Sequence, residues 1–318
     1  MKISTKLSVW FLLITLVSLI FFGYVSYSSL KKTIIEQKKN ELTAIANTKI
    51  RYIENFFYEK ENDVSALAHA PGIIDAMQNI GEAYREFGMD SPEYTALYED
   101  LIPFLAYYKN IFGYHDIFLI SYEGEVLFTL DKDADYGTNL KTGLYKNTQL
   151  SKVFKRASTL METEISDFEY YEPSNSPAAF VAAPIIKRGR IIGVIVFQLV
   201  TDEIYTLVQD YSGLGKTGET VVASKAGNQV IFAAPTRYDP DAAFRKKIDI
   251  GSDIALPMQK AVKGIKGLAI SNDYRGEKVL AVWEYLPQLR WGIVVKVDIR
   301  EAFSPVYKLR NWLLIIGG

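Results

Sequence analysis

Residues 115–130 read HDIFLIS-YEG-EVLFTL, and residues 219–234 read ETVVAS-KAGN-QVIFAA. Each pairs two short runs of apolar and β-branched residues around a glycine-bearing turn, Tyr122-Glu123-Gly124 and Ala226-Gly227-Asn228. That is the pattern of a β-hairpin. Three further strand-like runs follow each hairpin. After the first come EISDFEYY (164–171), AAFVAAPIIK (178–187) and RIIGVIVFQLV (190–200), the last two joined by Arg188-Gly189. After the second come GLAISND (267–273), EKVLAVWEYL (277–286) and WGIVVKV (291–297), joined by Tyr274-Arg275-Gly276 and Pro287-Gln288. Helical stretches are predicted near 148–160 and 240–263, between each hairpin and its three strands, and over 201–211 between the two units. The order of elements repeats, although the letters do not. Two antiparallel sheets of about five strands, each with helices on one face, make an α+β fold.

Working towards the N-terminus, residues 30–70 contain neither proline nor glycine. Apolar residues recur at Leu30, Ile34, Leu42, Ile45, Ile53, Phe56, Val64 and Leu67, which is helical spacing. The spacing predicts one long helix ended by Pro71-Gly72, with a shorter helix from Pro92 to about Asn110. Residues 7–30 carry no charge, and 9–22 (VWFLLITLVSLIFF) are almost solidly apolar. About 20 such residues span a bilayer core. A cleaved signal peptide would be shorter and end in small residues; this stretch leaves through Tyr24 and Tyr27 into Lys31-Lys32, so an uncleaved anchor over 7–29 is expected. Lys2 and Lys6 precede the span, while Lys31, Lys32, Lys38 and Lys39 follow it. That bias alone would hold the large region inside the cell, but long domains cross largely regardless of flanking charge. After Lys308 and Arg310, the final NWLLIIGG (311–318) reads as the start of a second span, or else as a short apolar tail packed on the domain.

The 318 residues carry a formal net charge of −1, no cysteine and two histidines, His69 and His115. Near-neutral charge without a basic run argues against nucleic-acid binding. The missing cysteines remove thiol catalysis, disulfides and cysteine-based metal sites. Two histidines leave little for a metal centre or a Ser-His-Asp triad, and no serine stands beside His115 as a nucleophile. Apolar content of 49% still describes a folded chain.

Two motifs invite chemistry that their surroundings refuse. Gly213-Leu-Gly215-Lys-Thr-Gly218 matches a dinucleotide fingerprint, yet a helix precedes it and a strand follows, the reverse of what pyrophosphate binding needs. Asp131-x-Asp133-x-Asp135 opens like a calcium loop, but Tyr136 stands where glycine is required and Thr142 where glutamate is. This stretch is expected to be a solvated acidic loop. No catalytic set, metal site or cofactor is predicted. What remains is a mixture of aromatic and polar residues: Asp167, Tyr170 and Tyr171 in one run, Tyr145 and Asn147 before the helix, and Gln198 in an otherwise apolar strand. A buried glutamine needs hydrogen-bond partners. Aromatic faces beside one carboxylate suit a small amine or amino acid; the same residues could equally be sheet-surface tyrosines and a loop-bonded glutamine.

The runs 116–140 (DIFLISYEGEVLFTLDKDADYGTNL), 166–185 (SDFEYYEPSNSPAAFVAAPI), 191–199, 213–220 (GLGKTGET) and 272–303 resemble the double Cache ectodomains of bacterial transmembrane receptors. The resemblance implies a long stalk helix and two stacked PAS-like domains outside the cytoplasmic membrane. The expected organisation is a cytoplasmic N-terminus (1–6), a transmembrane helix (7–29), a stalk (30–70), a membrane-distal domain (71–211), a membrane-proximal domain (212–300), and an exit helix running into a truncated second span (301–318), with 30–308 extracytoplasmic. It further implies a small-molecule ligand in the distal domain, a homodimer, and an output module beyond residue 318: a histidine kinase first, otherwise a diguanylate cyclase or chemotaxis transducer. Asp167 is the residue carried over as the ligand-facing carboxylate; Tyr170, Tyr145, Asn147, Gln198 and Phe180 complete the expected ligand set. The Arg-x-Trp-Tyr signature of the amino-acid-binding subgroup is absent from 117–130, which counts against an amino-acid ligand, and the choice among amine, amino acid and organic acid stays open. The alternatives are a membrane-anchored module that recognises a protein, and an anchored hydrolase that would need a nucleophile–base pair.

Overall fold

The computed structural model describes residues 3–317, without the side chains of 4–6, 8, 9 and 313–317. Met1, Lys2 and Gly318 therefore lie outside the described residues, as do the apolar side chains on which the expected second span rests.

Helix α1 (Ile3–Ala68) runs unbroken for 66 residues, on the order of 100 Å at 1.5 Å per residue. Trp10, Phe11, Leu12, Ile14 and Phe22 are exposed along its first third. From Leu42 onward one face is buried: Leu42, Ala46, Ile50, Ile53, Phe57, Val64 and Leu67, spaced by threes, fours and a seven. Pro71-Gly72 does not simply end a helix, as the sequence reading had it. Pro71 begins α2 (Pro71–Phe87), because proline at the first helical position loses no hydrogen bond and arrives with helical φ. Helix α3 (Pro92–Phe112) follows, its N-terminus capped by Ser91 Oγ, which accepts from the Tyr94 amide at 3.2 Å.

The first sheet contains β1 (Tyr114–Ser121), β2 (Val126–Thr129), then, after α4 (Gln149–Leu160), β3 (Glu164–Ile165), β4 (Glu169–Tyr171), β5 (Ser176–Lys187) and β6 (Arg190–Leu199). Its order is β2-β1-β6-β5-β3, with β4 also on β5, and every pairing is antiparallel. The run 164–171 is thus split into two short strands. Helix α5 (Asp202–Gln209) leads to the second sheet: β7 (Glu219–Ala226), β8 (Gln229–Phe232), β9 (Lys247–Asp249), then after α6 (Leu256–Ala261) β10 (Gly267–Asn272), β11 (Lys278–Leu286) and β12 (Trp291–Asp298). Its order is β10-β11-β12-β7-β8-β9. In both sheets the first and last strands pair at the centre. The helix expected over 240–263 shrinks to α6; Ile248 and its neighbours instead extend the sheet as β9 along the β8 edge. Pro240, Gly251 and Pro257 punctuate that stretch too often for a long helix. Helices α7 (Ile299–Ala302) and α8 (Ser304–Gly317) end the described chain.

Helices cover both faces of each sheet, not one. On the first, α1, α2 and α3 pack against Ile117, Leu119, Val181, Ile195 and Phe197, while α4 packs against Phe118, Phe180, Val194 and Val196. On the second, Leu280, Val282, Val295 and Val297 meet α1, α7 and α8, and Ala223, Ala281 and Val294 meet α6. Phe168 joins the units, its ring 5.0 Å from Trp291 and 6.4 Å from Phe244.

Candidate ligand-binding site

The α4 face of the first sheet ends in a polar row. Period-two alternation carries Val194, Val196 and then Gln198 along β6 on this face. In register, Gln198 lies opposite Phe180 on β5 and Asp116 on β1. Gln198 is buried and donates its Nε2 hydrogen to Ser174 Oγ at 2.9 Å, the partner that a buried amide needs. Asp116 is also buried and accepts from the Ile117 and Leu130 amides, at 2.7 and 2.9 Å, and from the Thr129 hydroxyl. Burial still outweighs those donors and pushes its carboxyl up to about 7.

Two segments close over this row, the loop 131–148 and the stretch 166–176. They bring Tyr145 and Tyr171 into the apolar cluster beside Phe118 and Phe180. The Tyr171 ring stands edge-on to Phe180 with centroids 5.0 Å apart, and Tyr145 lies 6.4 Å from Tyr171. The third aspartate of the acidic loop enters the same place. Asp135 is 0% exposed, its Oδ2 accepts from the Tyr171 hydroxyl at 2.5 Å, and its Oδ1 is buried without a partner among the described residues. Burial raises its carboxyl above the ordinary range, although the Tyr171 hydroxyl and the backbone amides of Asp135 and Tyr136 work the other way. The acidic loop is therefore not uniformly solvated: Asp131 pairs with Lys109 at 2.5 Å at the surface, and Asp135 turns inward. Among the described residues no group of three or more acidic or histidine side chains could hold a metal ion.

Of the six expected ligand residues, the structure brings Tyr145, Phe180 and Gln198 to this face. Tyr170 is exposed and donates its hydroxyl to Asn175 Oδ1 at 2.5 Å; Asn147 is exposed as well. Asp167 is half-buried and pairs with Arg290 of the second unit at 3.3 Å. Asp135, Phe118 and Tyr171 also stand on this face and are not in the expected ligand set. Alternation along β4 would have separated the two tyrosines, since neighbours on a strand face opposite ways.

On the corresponding face of the second sheet the buried charges already pair with one another. Lys296 Nζ lies 2.6 Å from both Glu219 Oε1 and Asp273 Oδ2, all three side chains buried. Beside them Val221, Phe232, Met258 and Tyr274 line a cavity of roughly 10 Å³, about the room for one water.

Comparison with known proteins agrees with this architecture. The sensor domain of the Vibrio cholerae histidine kinase DctB superposes with a TM-score of 0.55 at 14% identity, over 84% of this chain and 98% of that one. The ligand-binding domain of the Campylobacter jejuni chemoreceptor Tlp3 in complex with L-valine gives 0.56 at 15% identity, over 86% and 97%. That of the Pseudomonas aeruginosa amino acid chemoreceptor PctC with GABA gives 0.52 at 12%, over 81% and 99%. At such identities the likeness is one of fold. No curated protein matches the sequence. The dCache model, described as a Cache domain, matches residues 26–306, nearly all of the chain, and the protein belongs to that family.

Proposed function

We propose that this chain is the sensing region of a bacterial transmembrane receptor, and that its first unit binds a small molecule bearing an ammonium group. The observation that carries the ligand class is Asp135 Oδ1, a buried oxygen without a hydrogen-bond partner among the described residues, on a carboxyl that the Tyr171 hydroxyl reaches beside the Tyr145 and Phe180 rings. Such an oxygen is costly while empty. An ammonium would satisfy it and gain cation–π attraction from the tyrosines. The neighbouring structures bind L-valine and GABA, both amines, which supports the reading. The walls are closed in this state, so a ligand must favour a state in which the loop 131–148 has moved; that difference in affinity is what can be signalled.

The reading extends to the membrane. None of the described side chains of α1 over 7–29 is buried by protein, as expected of a segment meant for lipid. Units 71–211 and 212–300 then stand outside the cytoplasm, and two copies pair along the stalk 30–70. Ligand-dependent change in the paired helices drives an output module beyond residue 318.

The test is a thermal-shift screen of the whole chain in lipid nanodiscs against amines, amino acids, organic acids and purines. A ligand at 100 times its Kd adds about 2.7 kcal/mol of stability. An amine hit abolished in Asp135→Asn supports the proposal. A hit confined to organic acids, or one that survives Asp135→Asn, overturns the ligand class.

A further inference from the structure

The glycine-rich motif 213–218 forms the linker between α5 and β7, and it is wrapped from both sides. Its amides face Glu301 of α7: Oε1 accepts from the Lys216 amide at 2.8 Å, and Oε2 from the Thr217 amide and hydroxyl at 2.7 and 2.5 Å. Its carbonyls face Arg237, whose Nη1 donates to Gly215, Lys216 and Gly218 at 3.0, 2.7 and 2.7 Å. The Arg237 guanidinium also sits over the Tyr211 ring at 4.1 Å. The glycines are what allow this. Gly215 has φ +73°, and a Cβ there would run into Glu301 Oε1; at Gly218 a Cβ would strike the Leu214 carbonyl. Successive amides in such a turn form a concavity for an anion. Here the chain fills it with its own carboxylate.

Two more contacts tie the same linker to the stalk. Lys49 of α1, 5% exposed, donates to the Leu207 and Asp210 carbonyls at 2.6 and 2.7 Å, closing the C-terminal end of α5. Leu214 is buried in one apolar cluster with Leu42 and Ala46 of α1, Ala302 of α7, Phe303 at the junction, and Val306 of α8.

We infer that the linker 210–218 is the joint through which the first unit moves the stalk and the exit helix relative to each other, with Glu301 as the latch on the exit side and Lys49 as the pin on the stalk side. A shift of α5 at the end of the first unit pulls on Lys49 and on the Glu301 loop together. The consequence for signalling rests on the receptor reading; the latch itself does not.

The chain has no cysteine, so spin labels can be placed by Gln37→Cys on α1 and Lys308→Cys on α8, both exposed. The full chain in nanodiscs, diluted with unlabelled chain so that only pairs within one molecule are read, gives the stalk-to-exit distance distribution by pulsed electron paramagnetic resonance. Glu301→Ala empties the latch, and Gly215→Ala expels the carboxylate without altering it. Each is expected to broaden the distribution about twofold, and the double variant no further, because both break one interaction. Distributions that keep the wild-type width in folded variants, or single effects that add in the double, overturn the inference. Should Gly215→Ala fail to fold, Glu301→Ala alone carries the test, and a wild-type width there overturns the inference. No ligand enters this measurement, so a failed ligand screen and a failed latch are told apart.

Discussion

The Tyr171 hydroxyl binds one oxygen of Asp135 at 2.5 Å and leaves the other buried without a partner among the described residues. The two side chains therefore carry opposite consequences for stability and binding. Asp135→Asn replaces a charge that burial disfavours by a neutral amide, and the unliganded chain is expected to melt at the same temperature or higher while losing its response to amines. Tyr171→Phe strands both carboxylate oxygens and is expected to cost about 1–3 kcal/mol. Thermal melts with and without an amine hit separate the two.

Asp116 supplies a pH signature. Its carboxyl rises from the ordinary 3.8 to about 7 on folding, chiefly by burial. A raised acid binds its proton more tightly in the folded state, so its contribution is fully present below about pH 4 and is lost as pH rises through 7. Asp135, raised in the same direction by burial, adds to the slope. Asp116→Asn keeps one oxygen for the Ile117 and Leu130 amides, and the Thr129 hydroxyl can turn to accept from the new amide. The variant is expected to show a flatter melting temperature between pH 4 and 7. An unchanged slope would falsify the assignment to Asp116.

The two units are joined by aromatic packing more than by charge. Asp167 and Arg290 meet at 3.3 Å, but their side chains are 30% and 54% exposed, and such surface pairs contribute below about 1 kcal/mol. Phe168 is buried, within 6.4 Å of Phe57, Phe244 and Trp291. Phe168→Ala is expected to cost about 3–5 kcal/mol and to split one calorimetric transition into two. Arg290→Ala should leave the transition single and nearly unmoved.

How much of this could be read from the letters follows from which interactions are local. The hairpins and the six long strands were legible because period-two alternation and turn glycines act within a few residues. Helix α2 was hidden because Pro71-Gly72 reads as a stop, although proline equally starts a helix. The edge strand β9 exists through its pairing with β8, which overrides local preference. At the site, Phe180 and Gln198 stood out as neighbours in strands. Asp135 did not, because its burial depends on the path of a loop that brings it to Tyr171, 36 residues away. Asp167 drew attention as a carboxylate, and its partner Arg290 lies 123 residues on. Distance in sequence, more than chemistry, set the limit.

Lys296 allows the most direct test of the second sheet. Its ammonium is buried and lies 2.6 Å from each of two buried carboxylates, Glu219 and Asp273. Removing one partner of a buried pair leaves an uncompensated charge, so Lys296→Met is expected to cost roughly 3–5 kcal/mol. Adding Glu219→Gln should recover part of that loss. It removes one stranded charge and keeps one acceptor oxygen, which at the Oε2 position serves both the Tyr274 hydroxyl at 3.2 Å and the Arg237 amide at 2.9 Å. Burial works against the ionised form of Asp273, yet Lys296 and Arg275 hold its carboxyl below the ordinary range. Its contribution is therefore present above about pH 4 and is lost as pH falls through the depressed value. Urea unfolding followed by the fluorescence of Trp283 and Trp291, both buried in this unit, reads each variant. Should Lys296→Met prove as stable as the wild type, the ionic cluster is not what holds β7 to β12.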